Sequence, residues 1–214
     1  MSWVSTIKWV SWNAMLAVIP VAAGYAIRAV YKSKTTAALR YGVLAVLAVL
    51  WFVFLPNTCY LLTEWRHFLV TVDGKNLFLR ARVDNAYLIE LISLSLFYFL
   101  YSSFGMLMFA LAIRPVEKAV VKGGLALRLW AFPFFAAVSV GVYLGLILRF
   151  NSWDLLTRPA TVWSAVIELT ARPVLSMFII GFGVFLWIAY ELLDIWIDGF
   201  HYRLALLKNT NQEN

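Results

Sequence analysis

The sequence predicts an all-α fold: a polytopic transmembrane helical bundle of about five spans with interfacial helices. Three observations lead to this prediction. The 214-residue chain is 63% hydrophobic and only 14% charged, whereas an average soluble domain is about 25% charged. Several apolar runs approach or exceed the ~20 residues that a helix needs to cross the hydrocarbon core of a bilayer. The ten Trp and ten Tyr residues, many near the ends of these runs, are typical of side chains that anchor helices at membrane interfaces.

The predicted spans form a single integral membrane domain over residues 1–214. The five spans cover about 7–28, 38–56, 85–113, 129–149 and 173–198. In the fourth span, Gly141 and Gly145 have the small-xxx-small spacing that lets two helix backbones approach closely. Pro159 opens a short stretch with one apolar face, which predicts a helix lying in the interface. The polar tail after Tyr202 is expected to fray.

The second span is short, and a proline follows it. The apolar run from Tyr41 to Leu55 would extend about 22 Å as a helix, which is less than the hydrocarbon thickness of about 30 Å. Pro56 disfavours helical geometry at the residue before it. Two alternatives follow: either the helix continues through a kink at Pro56, or residues 57–69 form a separate helix at the interface. Both alternatives keep the next polar residues near the membrane boundary.

Those polar residues form a stripe. At 100° per residue, Asn57, Tyr60, Glu64 and His67 share one side of a helix, and unpaired polar groups are costly beside lipid. A second polar segment, Arg149 to Asp154, follows the fourth span, and the span count brings it and Asp84 to the same membrane face. We therefore expect one polar binding cluster there, composed of Asn57, Tyr60, Glu64, His67, Asp84, Arg149, Asn151 and Asp154.

The chemistry of this predicted cluster has three alternatives. Glu64 and His67 have the i, i+3 spacing by which helical bundles present a carboxylate and an imidazole to one metal ion; Asp84 and Asp154 would complete a mixed N/O set suited to zinc, manganese or iron. Without a metal, His67 and Glu64 would act as base and orienting group, which makes Glu64, His67 and Asp154 the catalytic candidates. The structural alternative pairs Arg149 with Asp154 or Asp84 and has Asn57 and Asn151 bond the backbone groups that are freed near Pro56. A divalent metal is thus a candidate, and no other cofactor is predicted.

A second polar stripe lies near the end of the fifth span. Its members are Glu191, Asp194, Asp198 and His201. Acids near a helix C-terminus oppose the macrodipole and require cationic partners; the candidates are Arg28, Arg40 and Arg128. Interfacial ion pairing is one interpretation of the stripe. The other is a proton or cation path from Glu191 through Glu90 to the first cluster.

The basic residues predict orientation and partners. Four lie in each of the loops after the first and third spans and two in the tail, against one before the first span, four after the second and three after the fourth. The side with more is expected to be cytoplasmic, which places the N-terminus and both polar motifs outside. The net charge of +7 is assigned to contacts with anionic lipid rather than to nucleic acid. Cys59 is the single cysteine, so an internal disulfide is excluded.

The two polar motifs together resemble a bacterial membrane family of unknown function, DUF1361. The segment from Leu55 to His67 is similar to its Phe-x-Pro-Asn-x-x-Tyr-x-x-Thr-Asp-x-x-His element, with Glu64 where the family more often has Asp. Residues 149–154 are similar to its Arg-Phe-x-Arg-x-Asn-Ser-Trp-Asp element, with a contracted spacing before the asparagine. Asp84 stands where the family tends to have an acid. The resemblance covers roughly 40–175; it implies a multi-pass protein of the bacterial cytoplasmic membrane, and it implies no activity.

Three functions are compatible with these patterns. The first is an outer-face polar pocket that binds a lipid headgroup or another amphiphile in the bilayer. The second is a metal-dependent membrane hydrolase or transferase acting at the outer interface. The third is a small transporter or proton-coupled carrier that uses Glu90 and Glu191. The third ranks last, because two matching interrupted spans, typical of inverted-repeat transporters, are not found in the two halves of the sequence.

Overall fold

The computed structural model describes residues 3–34, 36–120 and 125–213, and the regular secondary structure within these ranges is entirely helical. In chain order the helices are α1 (Trp3–Tyr31), α2 (Ala37–Phe54), α3 (Pro56–Thr63), α4 (Trp65–Gly74), α5 (Leu77–Arg80), α6 (Asn85–Val120), α7 (Leu125–Leu146), α8 (Asp154–Thr157), α9 (Pro159–Thr170) and α10 (Pro173–Glu213). The all-α fold class is confirmed.

Four helical segments of the described chain are long and apolar enough to cross a membrane: Lys8–Tyr31, Ala37–Gly74, Asn85–Ala119 and Pro173–Asn209. They match the first, second, third and fifth predicted spans in order. The fourth predicted span corresponds to α7, whose apolar stretch Ala131–Leu146 is shorter. The membrane prediction is confirmed by these four helices, and the count of five spans stays a prediction that depends on α7.

Helices α1 and α6 run parallel. Trp9 lies against Tyr101, with ring centroids 5.6 Å apart. About three to four turns further along both helices, Gly24 packs so tightly on α6 that a Cβ there would come within 2.5 Å of the Ala112 carbonyl oxygen. Pro115, also in this contact, has no N–H to donate inside α6. A glycine at position 24 therefore lets the two backbones touch.

The segment α2–α3 runs antiparallel to α6. The Trp51 indole Nε1 donates a hydrogen bond of 2.9 Å to the Ala112 carbonyl oxygen, and Trp51 is buried. Further along, the Thr58 carbonyl oxygen of α3 faces Gly105, where a Cβ would approach it to 2.7 Å. These contacts join α1, α2, α3 and α6 into one packed unit.

Helices α7 and α10 complete the bundle in antiparallel directions. Phe135 contacts Tyr190, with ring centroids 5.8 Å apart, while Tyr143 and Leu144 pack in one apolar cluster with Ile179. The N-termini of α1, α6 and α10 thus share one end of the bundle. We call it the outer end, after the orientation predicted above, and the opposite end the inner end.

The chain breaks its helix at Leu55, in a manner that neither sequence alternative describes in full. Pro56 opens α3 as its first residue, and α3 is a separate helix as one alternative has it. This helix packs inside the bundle, where Asn57, Thr58 and Leu61 are buried. The glycines of α6 and α7 leave room for it, and its depth relative to the membrane interface stays a prediction.

Two predicted ends are also wrong. Helix α6 continues to Val120, past the end at residue 113 predicted for the third span, so Arg114 lies inside a helix and not in a loop. Helix α10 continues to Glu213, so residues 202–213 are helical. Charged residues do not by themselves end a helix, and good helix formers such as Leu and Ala favour the continuation of α10 past Tyr202.

The alternation of helices predicts which loops share a membrane face. A cysteine replacing Lys75 at the outer end should react with a membrane-impermeant maleimide from one side only, and a cysteine replacing Lys32 from the other. Both side chains are exposed, and the native Cys59 is fully buried, so the unmodified protein is the unreactive control. Reaction of both variants from the same side would contradict the topology.

Candidate functional site

The predicted Glu64–His67 pair is formed. Glu64 occupies the junction where α3 ends and α4 begins. Its Oε2 lies 3.3 Å from His67 Nε2, with 16% of the Glu64 side chain and 52% of the His67 side chain exposed. The i, i+3 spacing therefore brings together a largely buried carboxyl group and an imidazole that reaches the surface.

Aromatic side chains lie next to this pair. The ring of Trp9 meets the His67 ring edge to face, with centroids 5.2 Å apart. Trp9 also contacts Tyr101 of α6 at 5.6 Å, and Tyr98 of α6 contacts Trp65, the residue after Glu64, at 6.1 Å between ring centroids. We call Glu64, His67, Trp9, Tyr98 and Tyr101 the Glu64 site. The contribution of α1 was missed at the level of sequence, because no local spacing relates Trp9 to a stripe more than fifty residues later.

A hydrogen-bonded bridge holds α4 against α6 beside the site. Trp65 Nε1 donates to Ser102 Oγ over 2.9 Å, and Ser102 Oγ in turn donates to the Leu61 carbonyl oxygen over 3.2 Å. Ser102 is buried. The buried Ser102 hydroxyl both accepts and donates a hydrogen bond, so the hydroxyl and the Leu61 carbonyl oxygen of α3 both have partners. These bonds fix the chain on either side of Glu64.

The two polar motifs meet through an asparagine and a serine. Asn57 Nδ2 donates to Ser152 Oγ over 2.9 Å and to the Phe54 carbonyl oxygen over 3.0 Å. The second bond satisfies a carbonyl that the break at Pro56 frees, since the Thr58 N–H donates to Leu55 instead. This agrees with the structural alternative for Asn57. Ser152 was not among the predicted site residues, although its place within the Asn-Ser-Trp-Asp run was a usable signal.

Asp154 and Asn151 form a local turn. Asp154 is buried, and its Oδ2 accepts a hydrogen bond of 2.7 Å from the Asn151 N–H. The carboxylate thereby closes the turn that leads into α8. This position gives Asp154 a structural partner within its own motif and sets it apart from the Glu64–His67 pair.

The predicted convergence on Arg149 is wrong. Arg149 follows α7 with a left-handed backbone (φ 58°) and is exposed; none of the ion pairs among the described residues includes it. Asp84 accepts a hydrogen bond of 2.8 Å from the Ala86 N–H, which caps the start of α6. Asp84 and Asp154 thus accept hydrogen bonds from backbone N–H groups of their own segments, and Arg149 forms an ion pair with neither of them.

Tyr60 is a packing residue. Its hydroxyl donates to the Gly141 carbonyl oxygen over 3.1 Å. Pro56 packs against Gly141, and a Cβ at position 141 would come within 2.5 Å of the proline ring. A Cβ at position 145 would overlap the Tyr60 ring. The prediction that both glycines line a close helix contact is confirmed, and the contact is between α3 and α7.

No three-ligand metal centre is formed by the described part of the chain. Within it, no group of three or more His, Cys, Asp or Glu side chains is placed to hold a metal ion. Glu64 and His67 supply two adjacent ligand atoms, but Asp84, the third metal candidate, caps α6. The site can hold and orient a proton or a cation through these two groups.

At the inner end, the acids of α10 meet cations of α6. Arg114 Nε lies 2.9 Å from Asp194 Oδ1, its Nη2 pairs with Asp198, and Lys118 Nζ lies 3.2 Å from Asp198 Oδ1. The predicted partners were Arg28, Arg40 and Arg128, of which the Arg128 side chain lies outside the described residues. The missed signal was the matching i, i+4 spacing of the cations and the acids.

The two carboxyl groups of the predicted ion path, Glu90 and Glu191, lie near opposite ends of the bundle. Glu90 pairs with Lys75 over 2.5 Å near the start of α6, while Glu191 accepts a hydrogen bond of 3.1 Å from Trp187. Glu117, which bonds the hydroxyl of Tyr190 beside Glu191, is 27 residues after Glu90, or about 40 Å along α6 at 1.5 Å per residue. The two ends are separate polar sites.

A comparison with protein families places most of the chain in a known family. The family model described as "Protein of unknown function (DUF1361)" matches residues 12–189. Neither curated proteins nor solved structures give a match. The matched range contains both polar motifs and all of the Glu64 site except Trp9, and it ends before the acids Asp194 and Asp198.

Proposed function

The chain belongs to the DUF1361 family, and from this premise we propose that it is a multi-pass protein of the bacterial cytoplasmic membrane whose Glu64 site binds the headgroup of an amphiphile. The proposal places the site at the outer face, with the N-terminus outside. The bilayer is then both the solvent of the protein and the source of its ligand.

The observation that carries the proposal is a largely buried carboxyl group with an imidazole partner that itself contacts an aromatic ring. A carboxylate at the edge of hydrocarbon is costly without cationic or hydrogen-bonding partners. His67 supplies such a partner at 3.3 Å, and the positive charge of Arg66 also acts on Glu64. A ligand that brings a further positive charge would add to these partners and stabilise the ionised carboxylate.

The aromatic side chains favour a cationic headgroup. The faces of Trp and Tyr rings attract ammonium and quaternary ammonium groups, and aromatic cages use this attraction. Trp9 contacts both His67 and Tyr101, and Tyr98 contacts Trp65 next to Glu64. On α4, directly after the pair, Leu69 and Val70 are exposed. These apolar side chains offer a surface for the tail of an amphiphile whose amine headgroup binds at Glu64.

The other two functions have less support. A metal-dependent hydrolase or transferase needs at least a third ligand near Glu64 and His67, and Asp84 and Asp154 bond to backbone groups of their own segments. A carrier that uses Glu90 and Glu191 needs a connection between groups that lie at opposite ends of the bundle. Headgroup binding requires only side chains that are already in contact, namely Glu64 with His67 and His67 with Trp9.

The test is binding of dodecyltrimethylammonium to the purified protein in a neutral maltoside detergent, measured as a thermal shift during titration. Glu64→Gln should weaken binding by about tenfold, because the neutral amide loses the charge-assisted contact. Glu168→Gln is the matched control, since Glu168 is an exposed carboxylate that pairs with Arg172 on α9. Equal binding by wild type and Glu64→Gln, or equal shifts with dodecyl sulfate, would contradict the proposal.

A further inference from the structure

A cavity of about 270 Å³ opens at the inner end between α1, α6 and α10, away from the Glu64 site. Its polar lining consists of Tyr25, Arg28, Arg114, Lys118, Asp198 and His201. We propose that this cavity binds a phosphate group, carried by a phospholipid or free in solution. The inference is independent of the function proposed for the outer end.

The lining is rich in hydrogen-bond donors. Arg28, Arg114 and Lys118 are cations, whereas Asp198 is the one carboxylate among the described residues that line the cavity. Two further acids lie near these cations outside the lining: Asp194 pairs with Arg114, and Glu117 of α6 accepts a hydrogen bond from the Tyr190 hydroxyl. A ligand that enters the cavity therefore meets mainly N–H groups, and phosphate oxygens are strong acceptors for such groups.

Arg114 is a preorganised donor. Its side chain is only 10% exposed, and two acids hold it: Asp194 through Nε and Asp198 through Nη2. Its Nη1 has no hydrogen-bond partner among the described residues. Because the acids fix the guanidinium plane, little side-chain entropy is lost when a ligand accepts a hydrogen bond from Nη1.

Arg28 is a cation without an ion-pair partner in the described part of the chain. It lies half-buried in the last turn of α1, and Asp198 on the same cavity wall pairs with Arg114 and Lys118 instead. A network that served only to hold α6 against α10 would need no cation from α1. A phosphate group in the cavity would contact all three helices and give Arg28 its counter-ion.

His201 adds a polar ring to the same wall. Its Nδ1 lies 2.8 Å from the Ile197 carbonyl oxygen. A carbonyl only accepts hydrogen bonds, so Nδ1 carries the proton and Nε2 is the ring atom left for a ligand. When the ring is protonated, Nε2 becomes a further donor to an anion.

Size and position agree with a headgroup. The cavity is smaller than the range of about 300–1,000 Å³ typical of sites that enclose whole drug-sized ligands. Its mouth carries exposed side chains, with Lys118 42% and Asp198 57% exposed. It also lies on the face predicted to be cytoplasmic, where anionic phospholipids are enriched.

The test is native mass spectrometry of the full-length protein with phosphatidylglycerol and with diacylglycerol, which has the same acyl tails but no phosphate. Wild type should bind phosphatidylglycerol about tenfold more tightly, and Arg28→Gln/Lys118→Gln should lose most of this preference. Lys32→Gln/Arg40→Gln is the control, because it removes the same charge at the same end of the bundle. Arg28→Gln alone, which leaves the Arg114–Asp198 pair intact, should lose part of the preference.

Inorganic phosphate distinguishes the two sources of the group. If millimolar phosphate displaces phosphatidylglycerol from wild type, the cavity recognises the free anion as well; if it does not, the ligand is the lipid. Both results support the phosphate site. No preference in wild type, or an undiminished preference in Arg28→Gln/Lys118→Gln, would overturn it.

Discussion

Gly145→Leu is expected to lower the free energy of unfolding by about 3 kcal/mol, the upper end for overpacked cores, or to prevent folding. Even a single Cβ at position 145 overlaps the Tyr60 ring. The ring has little freedom to retreat, because its hydroxyl donates to the Gly141 carbonyl oxygen over 3.1 Å. A bulky side chain would therefore separate α3 from α7 and expose the buried polar groups of α3.

The measurement is unfolding of the purified protein in a mixed detergent titration, followed by tryptophan fluorescence. Gly181→Leu is the matched control, since a Cβ at position 181 of α10 has no atom within 4 Å. The same substitution should cost little there. Tyr60→Ala combined with Gly145→Leu should recover part of the loss. A normal unfolding transition for Gly145→Leu alone would show that α3 and α7 are not in this contact.

The second large effect concerns Arg114. Arg114→Met is expected to destabilise the fold by about 2–3 kcal/mol; removing one partner of a fully buried pair costs about 3–5 kcal/mol, and partial exposure reduces this. The substitution removes the cation that holds Asp194 and Asp198, of which Asp198 is 57% exposed. Two carboxylates would then repel each other at the edge of the hydrocarbon.

Thermal unfolding in detergent measures this effect. Arg203→Met, at an exposed position on the same inner end, is the control for the loss of one arginine. Adding Asp194→Asn and Asp198→Asn to Arg114→Met should restore more than half of the lost stability, because the charges to be compensated are then absent. If Arg114→Met unfolds as wild type does, or if the triple variant is no more stable than Arg114→Met, the ion-pair network is not what stabilises this contact.

The helices could be predicted from the sequence because apolar runs and prolines act locally. The starts of α3, α6, α9 and α10 coincide with Pro56, Asn85, Pro159 and Pro173, at or within one residue of the predicted boundaries. The Glu64–His67 pair was predictable for the same reason, since three residues along a helix bring two side chains to one face. Gly141 and Gly145 were predictable as a contact, but their partner was not.

The remaining parts of the site depend on contacts between distant residues. Periodicity assigns a residue to a face, and it does not identify the helix that the face meets. Trp9 at His67, Ser152 at Asn57 and Arg114 at Asp198 are contacts of this kind. Asp84 and Arg149 were misassigned because a charged residue suggests a partner of opposite charge. Asp84 instead accepts a hydrogen bond from the first turn of α6, and Arg149 lies in a turn with a left-handed backbone.

The hydrogen bond from Trp51 to Ala112 sets an order of events during biosynthesis. The two residues are 61 positions apart in the chain, so a ribosome that adds about 5–20 residues per second needs roughly 3–12 s to make the acceptor after the donor. During that interval α1 and α2 have been synthesised, but Gly24 and the Trp51 indole N–H do not yet have their contacts with Ala112 of α6. The nascent hairpin of α1 and α2 is therefore the intermediate that most needs shielding by the insertion machinery.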